Sequence, residues 1–225
     1  MGLPHNEKEE KICFSGEEAT KLYEMARLYD PVKAIILFGE EIAPHNITLP
    51  QILKELRDAF DHFMRVVAAK TGLKVGFDNK YLEINLDKAF SHVYRAAYDA
   101  LDWVSIILRN KISVELAQYS AAAIQASIPD YYAIIRPTIE SVIPAKIAEI
   151  RATKDIGAPD PKSIMEYADY VEELKKYWDA IVTAKPSLMD YSKREKKARV
   201  REWGIAFLIG AATAGLAMGL TVAFT

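Results

Sequence analysis

The sequence has a single cysteine, Cys13, among 225 residues. That excludes an intramolecular disulfide and any zinc site built on cysteine. Its neighbours Ile12 and Phe14 are apolar, so Cys13 reads as a small buried hydrophobe rather than a nucleophile. No Gly-rich phosphate loop, HExxH, GxSxG or EF-hand loop occurs, so those nucleotide, zinc, serine and calcium chemistries have no motif to rest on. No metal and no other cofactor is expected. The formal net charge is only −2, without the basic excess of a DNA-binding domain. The N-terminal MGLPHNEKEEK has no apolar h-region, and Asn6 stands where a myristoylation signal needs Ser or Thr. Strand patterns are nearly missing; VKAIILF over 32–38 is the one β-like run.

One absence is local. From Trp203 to Thr225 the chain reads WGIAFLIGAATAGLAMGLTVAFT, with no charged residue. About 20 apolar residues cross a bilayer core as a helix, and a helix apolar all round does not suit a water-facing bundle. The run is preceded by Lys193, Arg194, Lys196, Lys197, Arg199 and Arg201, against only Glu195 and Glu202. Positive flanks stay on the cytoplasmic side. The expectation is a C-tail anchor in the inner, cytoplasmic membrane, with the bulk of the chain in the cytoplasm. Trp203 sits at headgroup level, and the basic cluster draws anionic lipid. Within the run, Ala211, Gly215 and Gly219 form one row of small residues, and Ala206, Gly210 and Ala214 a second. Such rows let neighbouring helices approach closely, so self-association is expected there.

Before the run, helical signals dominate. Ser15 with Glu18 is a capping box whose helix is expected to reach Asp30, before Pro31. Thr48 can cap a helix with Pro50 in its first turn, ending at Gly72. A long helical pattern runs from Leu86 toward Ser127, with a break near Asn110. Pro137 and Pro144 divide the next segment, and GAPDP over 157–161 reads as a loop. Ser163 with Glu166 starts a helix that Lys185-Pro186 breaks, and Ser187 caps the last one. The expected architecture is all-α. A helical bundle over 1–186 is followed by a basic juxtamembrane helix over 187–202 and a transmembrane helix over 203–225.

Two stretches of the bundle repeat a pattern, AFDHFMR from Ala59 and AFSHVYR from Ala89. On the first helix Ile52, Leu53, Leu56, Ala59, Phe60, Phe63 and Val67 share an apolar face, leaving Asp58, Asp61, His62 and Arg65 opposite. On the second, Leu86, Phe90, Val93, Ala97, Leu101, Val104 and Leu108 share a face. His92, Arg95, Asp99 and Asp102 fall on the other side, near Trp103 and Ile106. Solvated charge pairs explain such stripes. If another helix covers them the charges must pair, with His62 and Arg65 facing Asp99 and Asp102.

The stretch Arg57-Asp58-Ala59-Phe60-Asp61-His62 resembles the R-x4-6-H motif of the HEPN superfamily. The resemblance implies a small helical bundle that dimerises, and metal-independent endoribonuclease activity. It implies that His62 is the general acid/base and that Arg57 stabilises charge on the phosphorane-like state. In outline the chain is also similar to membrane-anchored HEPN-like accessory proteins of RNA-targeting antiviral CRISPR systems. The leading expectation is therefore a membrane effector or accessory protein that self-assembles, with a pore as one form. Its partners are membrane lipid, further copies of itself, and RNA or a protein or nucleotide activator. A tethered ribonuclease using Arg57 and His62 is the alternative. A membrane-held scaffold or receptor is the third, with Tyr131, Tyr132, Tyr167, Tyr170 and Tyr177 suiting an interface or ordinary packing.

Overall fold

A computed structural model describes residues 12–44, 47–154 and 159–223, with side chains given through Gly210. The described chain is all helical: α1 Gly16–Ile42, α2 Pro50–Lys70, α3 Asn79–Leu116, α4 Ala121–Ser127, α5 Ile143–Ala152 and α6 Pro161–Ala223. Two π-helical stretches, Tyr131–Ile135 and Thr138–Val142, lie between α4 and α5. The chain divides into two compact units, Met1–Lys111 with Ile139–Lys176, and Ile112–Thr138 with Tyr177–Thr225.

In the first unit, α1 opens on the expected capping box: Glu18 N–H donates to Ser15 Oγ at 3.2 Å and Ser15 N–H to Glu18 Oε2 at 2.7 Å. It does not stop at Asp30. It continues through Pro31 and the β-like run to Ile42. An interior proline costs a helix about 3 kcal/mol. The burial of Leu28, Val32, Ile36 and Gly39 along one stripe offsets that loss. At Gly39 α1 packs tightly on α3: a Cβ there would collide with the Trp103 ring and lie 2.8 Å from Val104 Cγ2.

Thr48 does not cap α2. Leu49 is the N-cap, with no side-chain bond, and the Thr48 hydroxyl donates to Glu40 instead. The helix ends as expected at Thr71, and Gly72 takes a left-handed φ of 70° that suits glycine. Central α3 runs unbroken past Asn110 to Leu116. Its expected apolar line from Leu86 to Leu108 is buried throughout, and Ala89, Ala96 and Ala100 are buried beside it. Ile143, Ile147 and Ile150 of α5 and Ile164, Tyr167, Val171 and Leu174 of α6 complete this core at helical spacing. Ser163 is not the cap of α6: Lys162 N–H donates to Asp160 Oδ1 at 3.0 Å, and Ser163 Oγ donates to the Asp160 carbonyl at 2.7 Å. Cys13 is exposed, not buried; it lies outside the helix that begins at Gly16.

In the second unit, Ile112, Leu116, Ala123, Ile124, Ile128, Tyr131 and Ile135 are buried, as are Ile181 and Leu188 of α6. Lys185-Pro186 breaks nothing; Pro186 lies inside α6, which continues through the basic stretch to Ala223. Among the described residues no strand occurs, and no helix is long and apolar enough to cross a membrane. The expected span begins at Trp203, and only its first part, to Gly210, is described to the side chain.

Candidate functional site

The histidine–arginine repeat forms a polar cluster between α2 and α3. Its organiser is Glu55, which the sequence reading did not single out. Glu55 lies on the same line of α2 as Ile52, Ala59 and Val66, and its side chain is 9% exposed. From α3, His92 Nδ1 lies 2.7 Å and Arg95 Nε 2.9 Å from Glu55 Oε2. Gln51 Nε2 donates to Oε1 at 3.0 Å. A carboxylate this deep requires partners, and a guanidinium and two further polar groups face it.

Arg95 Nη2 also lies 2.8 Å from His92 Nδ1. One ring nitrogen cannot both donate to the carboxylate and accept from the guanidinium. His92 therefore chooses between Glu55 and Arg95.

His62 is better determined. Asn85 Nδ2 donates to the Tyr81 carbonyl at 2.8 Å, which turns its Oδ1 toward His62 Nδ1 at 2.9 Å. An amide oxygen only accepts, so the proton sits on His62 Nδ1 and Nε2 carries the lone pair when the ring is neutral. The two rings stack, with centroids 5.4 Å apart and 19° between planes. The two copies of the repeat thus meet at their histidines, and their Ala59 and Ala89 are both buried.

The rest of the expected stripe divides. Arg57 is on the outer face of α2, 72% exposed, and bonds Asp58 at 2.7 Å. That guanidinium holds the Asp58 carboxyl below its ordinary range. Arg57 and His62 are not brought together: one binds its neighbour Asp58, the other Asn85 of α3. Arg65 pairs with Asp61 at 2.6 Å on the surface.

Asp99 and Asp102 do not face His62 and Arg65. Asp102 accepts from Arg151 Nε of α5 at 3.0 Å and from the Tyr167 hydroxyl of α6. Burial, then the Asp102 charge, pushes the Tyr167 hydroxyl well up. Burial works against the charge on Arg151, but Asp102 outweighs it and raises its pKa. Burial also raises the Asp99 carboxyl, against the pull of Lys154. Nearby, Lys154 Nζ sits 4.4 Å over the Tyr98 ring, and Tyr94 and Tyr98 share Ser163 Oγ at 3.1 and 2.9 Å. Burial pushes the Tyr98 hydroxyl up to about 12. These bonds tie α3 to α5 and α6, so Tyr167 is a packing residue; Tyr131 is buried as well, and Tyr132, Tyr170 and Tyr177 are half-buried.

Lys193, Arg194, Lys196, Lys197, Arg199 and Arg201 are all exposed along α6. Beyond them Trp203 is 76%, Ile205 50%, Phe207 76%, Leu208 68% and Ile209 60% exposed. At 100° per residue these side chains surround the helix. Ala206 and Gly210 are exposed; Ala211, Ala214, Gly215 and Gly219 lie outside the residues described to the side chain.

Among the described residues no group of three or more His, Cys, Asp or Glu could hold a metal ion. No protein-family model matches the chain, and neither does any curated protein or solved structure. The likeness to HEPN proteins rests on residues 57–62 alone.

Proposed function

We propose that the chain is a tail-anchored membrane protein, a helical effector or accessory protein that assembles through its anchor. One observation carries this reading. Helix α6 leaves the core, passes through an exposed basic stretch and enters a collar of large apolar side chains exposed on every side. Water does not stabilise such a collar; a bilayer does. The helical run from Trp203 to Ala223 has 21 residues, about 31 Å at a 1.5 Å rise, close to the roughly 30 Å hydrocarbon core. The basic flank supports an orientation with the helical units on the cytoplasmic face of the inner membrane. The small-residue rows Ala206–Gly210–Ala214 and Ala211–Gly215–Gly219 support close helix contacts there.

The His62–His92–Glu55–Arg95 cluster supports a positioning role between helices in preference to catalysis, because each side chain already has an internal partner. The antiviral setting and an RNA or nucleotide activator rest on the motif resemblance. The test of assembly is the mass of the full chain in detergent. An oligomer that Gly215→Leu with Gly219→Leu dissociates fits the proposal, and a strict monomer at every concentration contradicts it.

A further inference from the structure

A groove of about 440 Å³ runs along α6 in the second unit. Lys185, Met189, Ser192, Lys196 and Arg199 share one face of the helix at alternating spacings of four and three, so they line its length in a single row. The link between α3 and α4 closes the other side with Gln118 and Tyr119.

The groove is held in register at two points. Ser120 Oγ caps α4, accepting from Ala123 N–H at 3.1 Å, and donates to Glu195 Oε2 at 2.8 Å. Lys185 Nζ pairs with Glu115 at 2.9 Å, which raises the Lys185 pKa through that hydrogen bond. Of the two carboxylates, Glu115 is paired with a cation, and Glu195, which lines the groove, is bonded to a neutral hydroxyl. Lys193 reaches Asp190 only at 3.8 Å. Lys196 and Arg199 have no acidic partner among the described residues. Against the lining carboxylate Glu195, the groove carries Lys193, Lys196 and Arg199, an excess of positive charge beside the Ser192 hydroxyl, which suits a bound anion.

Position decides which anion. Arg199 lies four residues and Lys196 seven residues before Trp203, about 6 and 10 Å along the axis. The headgroup layer extends roughly 5–8 Å beyond the hydrocarbon. With Trp203 at the boundary, these two cations stand at phosphate depth or just above it. We infer that the groove holds the headgroup phosphate of an anionic phospholipid, clamped by Lys196 and Arg199. The inference rests on the anchored reading of the tail. It goes further in making lipid binding a defined site rather than a diffuse attraction.

The test uses the full chain in phosphatidylcholine nanodiscs containing a small fraction of spin-labelled phosphatidylglycerol, reading the preference for the labelled lipid over labelled phosphatidylcholine. Two double variants remove the same charge: Lys196→Gln with Arg199→Gln in the groove, and Lys197→Gln with Arg201→Gln outside it. The first pair should reduce the preference on the order of tenfold, because the charge-assisted bonds that clamp the phosphate are lost in addition to the diffuse surface attraction. The second should reduce it far less. Equal losses, or no loss in either, overturn the inference. So does an RNA oligonucleotide that binds the lipid-free protein in detergent and loses affinity in the groove variant alone. Failure of the anchor itself is distinguishable: the protein would then not enter the nanodiscs in any form.

Discussion

Glu55→Ala removes a buried carboxylate that ties the helices of the AFxHxxR repeat together. Its side chain is 9% exposed and faces Arg95, His92 and Gln51. Breaking a buried ion pair costs about 3–5 kcal/mol because the surviving charge is stranded. Arg95 is 29% exposed and can turn toward water, which trims the cost of Glu55→Ala to about 2–3 kcal/mol. Arg95→Ala strands the deeper partner and should cost about 3 kcal/mol or more. Arg57→Ala, on a side chain 72% exposed, should stay within about 0.5 kcal/mol. Urea unfolding of the full chain in mild detergent, followed by circular dichroism, gives each value. A cycle with the double variant gives the coupling, expected above about 1 kcal/mol. If Glu55→Ala and Arg95→Ala each cost no more than Arg57→Ala, the cluster is surface decoration and the argument fails.

Gly39→Ala should destabilise the first unit by about 1–3 kcal/mol, since the new methyl meets the Trp103 ring and Val104; Trp103→Leu on that background should recover part of the loss in the same unfolding assay. Burial raises Glu18, but its bonds to Lys70, at 2.7 Å, and to Ser15 outweigh that and lower its pKa from 4.5. A lowered folded pKa contributes stability that is complete above the unfolded value and lost as pH falls through the folded one. The wild-type chain should therefore lose more stability than Lys70→Met between pH 6 and pH 3; equal losses would contradict the pairing. RNA incubated with the full chain without metal should remain intact. Cleavage abolished by both Arg57→Ala and His62→Ala would instead establish the ribonuclease alternative, with a second copy supplying the missing contact.

Much of α3 was legible because its burial is written in spacing: Leu86, Phe90, Val93, Ala97, Leu101, Val104 and Leu108 recur at helical intervals and all are buried. The face of α2 was misjudged. Leu53 and Phe60 look like core by type, yet they are 54% and 62% exposed. The buried line, Ile52, Glu55, Ala59 and Val66, is turned by roughly one residue. What turns it is Glu55, whose partners lie 37 and 40 residues away; local spacing carries no trace of them. A charged residue within an otherwise apolar line was the available signal. Pro31 and Pro186 misled for a related reason: proline is a local penalty, and the packing of Val32, Ile36, Ile181 and Leu188 overrides it. The charge pairing of Asp102 was anticipated in kind but not in partner, because Arg151 and Tyr167 come from helices that the sequence does not place beside α3.

The membrane anchor is the claim on which the proposed function stands. Alkaline carbonate extraction of membranes from cells expressing the full chain, beside a chain ending at Glu202, addresses it directly. The account predicts that the full chain stays in the membrane pellet and the shortened chain is released. Release of the full chain at high pH would contradict it, leaving the exposed collar from Trp203 to Ile209 to be covered by protein.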